Sequence, residues 1–378
     1  MMVLSVLRQV CRSLCVVAFA AAVAACSGPS KPVPKELGAN IGLIGVKSAW
    51  TAQVGPLDAT TQAHVVGAQV LLSSANGTVT ALQGETGRVV WQLGVGAPLV
   101  SGVGGDGQTF AVVSEAGELI ALSSDKVLWR QRMGALSLTT PLVAGARVFT
   151  LSADRTVTAF DAASGQRLWQ MQRTSDPLVL GQAGVLMAVG DTLVVGVAGR
   201  LLGLNPLNGA ARWEVPVAVS RGTNEVERLV DLVAGVSRLQ SNVCVRSYQA
   251  AVACVDASKG ALLWNKAAAG MTGLAGDSEY VFGTEADSKL MAWSRSSGER
   301  VWVSETLRWR GLGTPLVAGQ TLVVGDSSGL LHFLSRTDGA PMDRASTDGS
   351  SIVGAPVLVG KTLIAVTQKG GVFAFRPE

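Results

Sequence analysis

The sequence predicts an all-β protein, an eight-bladed β-propeller with four antiparallel strands per blade, closed by pairing its N-terminal strand with its C-terminal blade. Three observations predict it. Tryptophan recurs at Trp50, Trp91, Trp129, Trp169, Trp213, Trp264 and Trp302, at intervals of 41, 38, 40, 44, 51 and 38 residues, a period that belongs to repeat arrays and propellers. Each period holds four short apolar runs punctuated by turn residues, the pattern of a small antiparallel sheet. The last unit has three runs and no fourth, while Trp50 stands in a lone strand, residues 47–52, with none before it.

The third unit shows how a blade is written. Residues 141–145 give a strand and its turn, 147–152 a second strand, 153–155 a turn, 156–161 a third strand, 162–165 a turn, and 167–170 the fourth strand with Trp169. The same phrase returns at Gly87 and Trp91, at Trp129, at Gly209 and Trp213, at Gly260 and Trp264, and at Gly298 and Trp302. A seventh unit, from Pro315 to Gly339, lacks the tryptophan and has Met342 near its place. The eighth starts at Ala355 and ends its third strand at Phe375. An open solenoid has no reason to split a unit between its termini, whereas a ring does, because the pairing removes exposed sheet edges. The recurrent indoles read as filling between neighbouring sheets, with a ring of ligand-stacking tryptophans as the alternative. The glycines of the Thr-Gly and Ser-Gly turns suit left-handed backbone.

Composition sets outer limits. With 378 residues, 48% hydrophobic, 15% charged and 45 glycines, the chain can bury a large core and must turn often. Its formal charge of +4 falls to +2 without Arg8 and Arg12, so nothing draws it to nucleic acid. Those two arginines precede an apolar, alanine-rich run, residues 13–25, which reads as a signal peptide over residues 1–25. The run ends Val23-Ala24-Ala25-Cys26, which resembles the bacterial lipobox. Cys26 is therefore expected to be the lipidated mature N-terminus, a multiply acylated anchor. By resemblance to lipoprotein sorting signals, Ser27 directs the protein to the periplasmic face of the outer membrane. Residues 26–45 are read as the lipidated cysteine and a Pro- and Lys-bearing tether, and residues 46–378 as the propeller.

The phrase Asp161-Ala162-Ala163-Ser164-Gly165 ending in Trp169 resembles the repeat of pyrroloquinoline-quinone propellers. A lipobox followed by eight such repeats is similar to the BamB family, lipoproteins of the outer-membrane β-barrel assembly machinery. A second match lies in the longest interval, where residues 222–231 resemble that family's acidic loop between the fourth and fifth blades. The resemblance implies a non-catalytic scaffold, monomeric within a hetero-complex, that binds the periplasmic domains of the central barrel-inserting subunit through neighbouring interblade loops. Matched by position, Arg228, Leu229 and Asp231 fit the acidic-loop motif, while the second acidic position falls on Val233. Residues 176–181 resemble the family's apolar contact loop less closely, with Leu178 and Leu180 as candidate contacts. The interval from Trp213 to Trp264 is 13 residues longer than the shortest one, and so long an excursion from a compact ring suggests packing or binding.

Chemistry is poorly represented. His64 and His332 are isolated, each flanked by strand residues, no metal-ligand spacing appears, and no catalytic residue or cofactor is assigned. Residues 102–107 are glycine-rich but lie between strands, which disfavours phosphate binding. A quinone-dependent periplasmic oxidoreductase is the alternative suggested by the repeat. That reading would imply adjacent cysteines and a calcium site, and the sequence has no Cys-Cys pair. A propeller binding another envelope partner is the third reading. Cys244 and Cys254 flank the turn at Tyr248, Gln249 and Ala250 in a compartment where thiols pair. A three-residue loop would set them directly opposite one another. A two-residue turn would oppose Cys244 to Val255 and put the cysteines on opposite faces.

Overall fold

The structure, a computed structural model, describes residues 32–58, 60–173, 178–219, 224 and 228–377. Cys26 and the signal segment lie outside the described residues. Lys35–Glu378 forms one compact unit. It contains eight four-stranded antiparallel sheets, seven of them built from strands consecutive in sequence. Blade 1, for example, comprises His64–Val66, Gln69–Ser74, Thr78–Gln83 and Val89–Gly94. The eighth sheet combines Val357–Val359, Thr362–Val366 and Gly371–Pro377 with the N-terminal strand Val46–Gln53. Trp50 pairs with Ala374 in that sheet, so the ring closes by joining its two ends.

The core is divided among the blade interfaces. Each of eight clusters of buried residues draws from two neighbouring blades, as where Phe149 and Leu151 of blade 3 meet Leu193 and Val195 of blade 4. The tryptophans flank seven of these clusters. In every blade the register slips by one residue between the third and outer strands, as between Ala81 and Leu82 opposite Trp91 and Val89. Such a bulge bends the strand and re-aims the side chain that follows. Opposite the indole stands a small residue, Ala81, Ala121, Ala159, Gly203, Cys254, Ala292 or Ala374.

The tryptophan of one blade reaches the third-to-outer turn of the next. The indole N–H of Trp129 donates to the Ala162 carbonyl at 2.8 Å, that of Trp169 to Pro206 at 3.0 Å, and that of Trp264 to Arg295 at 2.7 Å. Trp50 and Trp302 do the same to Gly84 and Arg336. A Cβ at Gly87, Gly165, Gly209, Gly260, Gly298 or Gly339 would run into the indole of Trp50, Trp129, Trp169, Trp213, Trp264 or Trp302, in that order. Those glycines also have positive φ, so conformation and space both require glycine. Trp and Gly are thus paired across an interface, not within a blade.

The seventh blade departs from this scheme. Its bulge opposes Phe333 to Asp343 and Leu334 to Pro341, so the residue standing where the other blades have tryptophan is Asp343. Met342, near the expected position, is the bulged residue. Blade 8 draws its third and outer strands from opposite ends of the ring and has no turn between them, so no turn waits to receive an indole. The Asp343 carboxylate instead accepts hydrogen bonds from Asn40 Nδ2 at 2.8 Å and from the amide of Val46 at 3.3 Å.

Asn40 belongs to a strap laid along the outer strand of blade 7. The tether read over residues 26–45 is, from Lys35 onward, docked on the ring. The Lys35 amide donates to Arg308 and the Leu43 amide to Met342, both at 2.9 Å. Leu37 packs beside Leu307 and Leu312, and Ile44 beside Phe333 and Phe375. Beneath it the Asp326 carboxylate is fully buried and accepts from His332 Nε2 at 2.9 Å and Arg310 Nε at 2.8 Å. Arg310 then donates to the Lys35 carbonyl. His332 is part of the strap's foundation, and His64 bonds the Gly105 carbonyl.

Candidate partner interface

With four strands per blade, the second-to-third turns and the connections between blades emerge on the same face of the ring. A backbone rule organises this face. An amide in each second-to-third turn donates to a carbonyl of the connection that enters the same blade: Ala75 to Pro56, Glu115 to Pro98, Ala153 to Leu136, Tyr248 to Asp231, Ala286 to Ala269, Ser327 to Arg310 and Gln368 to Ser351. Among the described residues no such bond ties the turn of blade 4 at Ala198 and Gly199 to the connection entering that blade.

Side chains hold that connection instead. Asp231, in the connection entering blade 5, accepts the Leu180 amide on one carboxylate oxygen at 3.0 Å and Arg155 Nη2 on the other at 3.3 Å. The same Nη2 donates to the Leu178 carbonyl at 3.1 Å. The Arg155 and Asp231 side chains are only 11% and 18% exposed, which makes the pair stronger than a solvent-screened one. Arg155 sits at φ +63° in the turn of blade 3, so three consecutive blades meet at one carboxylate. Backbone pairing of Gly184 with Val233 and of Ala234 with Ala183 continues the seam inward.

The candidate contact residues from the sequence are thereby sorted. Leu178 and Leu180 are brought together with Asp231, and both leucines are half-buried. Leu229 lines a separate groove of about 590 Å³ with Val217, Val219, Tyr248 and Asn265. Val219 is 67% exposed there. Arg228 is half-buried. Residues 174–177, 220–223 and 225–227, which carry the rest of both loops, lie outside the described residues. Val233 is buried at 2% exposure, so this chain offers no carboxylate at the second acidic position. Arg155 escaped the sequence reading because its partner is 76 residues away and nothing in the repeat marks it; the one available signal was a bulky residue at a turn position that asks for positive φ.

Blade 5 is braced close by. The turn at 248–250 has three residues between paired strands, so Cys244 and Cys254 stand directly opposite and are joined as a disulfide. Arg295 of blade 6 reaches the same spot, with Nη1 3.5 Å from Cys244 Sγ. Arg246 is buried and pairs with Glu285 at 3.0 Å. Among the described residues no group of three or more His, Cys, Asp or Glu could hold a metal ion.

Fold and loops define the class as a propeller of pyrroloquinoline-quinone-type repeats with two interblade connections clasped together on its loop face. The family model described as outer membrane protein assembly factor BamB matches residues 75–304 and 303–377. The chain is 36% identical over 371 residues to the outer membrane protein assembly factor BamB of Burkholderia pseudomallei, covering 96% of this chain and 97% of that protein. It is 33% identical over 338 residues to that of Bordetella pertussis, covering 88% and 87%. The chain therefore belongs to the BamB family, non-catalytic outer membrane protein assembly factors, which displaces the oxidoreductase reading. The crystal structure of BamB from Moraxella catarrhalis shares the fold, with a TM-score of 0.79 at 24% identity over 88% of this chain and 99% of that one.

Proposed function

We propose that this chain is a lipoprotein anchored through Cys26 in the periplasmic leaflet of the outer membrane, and that it binds the periplasmic domains of the central barrel-inserting subunit of the assembly machinery. The connections entering blades 4 and 5 carry the contact. Asp231 supports this reading most directly, because it fixes one connection against the other where, among the described residues, the backbone bond that ties turn to connection in the other seven blades is missing.

The clasp also divides the work. Leu178, Leu180, Arg228 and Leu229 are the contacts, and Asp231 acts with Arg155 as a positioning pair, since both oxygens of its carboxylate are already occupied. Affinity isolation through the propeller tests this. Recovery of the barrel-inserting subunit should fall in Arg228→Ala and Asp231→Ala. Arg155→Ala should lower it as much as Asp231→Ala, and the double change should cost little more than either alone, since neighbours in one network are not additive. Recovery unaffected by all of these would reject the site. Recovery of a different envelope protein, lost on the same substitutions, would keep the surface and change the partner.

A further inference from the structure

We infer that the loop face has a second contact surface, centred on Trp309 in the connection from blade 6 to blade 7, and that its partner is the phospholipid bilayer itself. The inference rests on the proposed lipid anchor at Cys26. Trp309 is 40% exposed, the one tryptophan among the exposed large apolar residues described. The loop holds it out by construction: Leu307 and Leu312 are buried on either side, Gly311 and Leu312 donate to Ser288 Oγ, and the Trp309 amide donates to the Asp287 carbonyl at 2.9 Å. Its φ is +61°, an outlying conformation for a bulky residue that points to a demand other than packing.

The surroundings favour a bilayer. The Arg308 guanidinium lies over the indole at 5.4 Å and pairs with Asp287 at 3.0 Å. The patch is therefore an amphipathic ring with its charge already balanced, as suits the level of lipid headgroups. The carbonyl of Arg308, the residue next to Trp309, accepts the Lys35 amide, so the chain leaves the strap beside the indole. Eight residues lie between Cys26 and Lys35, a reach of at most roughly 30 Å. An anchor at Cys26 thus keeps this part of the loop face within that distance of the leaflet. Ile41 and Leu43 of the strap, 56% and 67% exposed, add apolar surface along the flank of blade 7.

The test uses the full-length lipoprotein in vesicles of phosphatidylethanolamine and phosphatidylglycerol, some carrying acyl chains brominated near the headgroup. Part of the tryptophan emission should be quenched by the brominated lipid, at low and high salt alike because the patch is charge-balanced. The quenched component should be lost in Trp309→Phe. A probe on the opposite face, Leu207→Trp added to Trp309→Phe, should not restore it. Flotation with the vesicles but no quenching assignable to Trp309 would overturn the inference, as would equal quenching of the Leu207→Trp probe. Protection of Trp309 from a soluble quencher by the barrel-inserting subunit's periplasmic domains, without lipid quenching, would assign the surface to protein. Failure to float would overturn the anchor reading and this inference together.

Discussion

The interface between blades 3 and 4 and the seam between blades 7 and 8 solve one packing problem in different ways. At the first, Trp169 lies on Gly209 and bonds the Pro206 carbonyl. At the second the corresponding residue is Asp343, the small residue opposite it is replaced by Phe333, and the strap comes in from outside. The difference teaches that the tryptophan answers to its neighbour. An indole is useful where the next blade offers a third-to-outer turn, a glycine turn for six of the seven repeat tryptophans, and the ring's closing blade has no such turn. A carboxylate suits those ends better, because it can hold the amide that opens the N-terminal strand.

Substitutions can break this comparison or sharpen it. Trp169→Ala should destabilise by about 3–4 kcal/mol, within the range for large-to-small changes, and chemical denaturation would measure it. Next, Gly209→Ala should cost about 2–3 kcal/mol, since strain and overpacking add. Gly319→Ala, with similar positive φ but open space around it, should cost only about 1 kcal/mol. Equal losses would mean that backbone conformation, and not the indole, dictates the glycine. Asp343→Ala should cost about 1–2 kcal/mol as charged-acceptor hydrogen bonds are lost, and hydrogen exchange should rise in residues 35–46 while the other interfaces keep their protection.

The smallest effect is the most pH-dependent. Burial pushes the Asp326 carboxyl up, but hydrogen bonds from His332, the Leu330 amide and Ser328 outweigh it and hold the group below the ordinary carboxylate range. A depressed value stabilises the fold above the unfolded-state pKa near about 4, and that stabilisation is lost as pH falls through the folded value. Asp326→Asn should therefore cost about 1 kcal/mol at neutral pH, and the difference from wild type should shrink in acid unfolding below about pH 4.

Much of the ring was legible because each blade is written locally, in runs and turns a few residues apart. Closure was legible too, from Trp50 and the incomplete last unit. What the sequence hid are partnerships between repeats. Trp50 and Gly87 recur visibly, yet that the one rests on the other follows only from the curvature that brings blade 8 against blade 1. Asp343 was hidden by its neighbour, since a one-residue bulge decides whether it or Met342 takes the tryptophan's place. Of the candidate interface, the long interval and Asp231 could be read, whereas Arg155 could not. The docking of residues 35–45 was equally silent, because Leu37 and Ile44 form no periodic pattern and the segment reads as a linker.

Closure between Val46–Gln53 and Gly371–Pro377 also sets a timetable. The strand Val46–Gln53 must wait longest, since the seven other sheets pair strands consecutive in sequence and its own partner lies beyond them all. Until then one open edge stands at each end of a growing stack, and pairing across more than 300 residues is among the slowest contacts a chain can make. Closure should thus be a single long-range docking event late in folding, and aggregation should be most acute in the interval just before it.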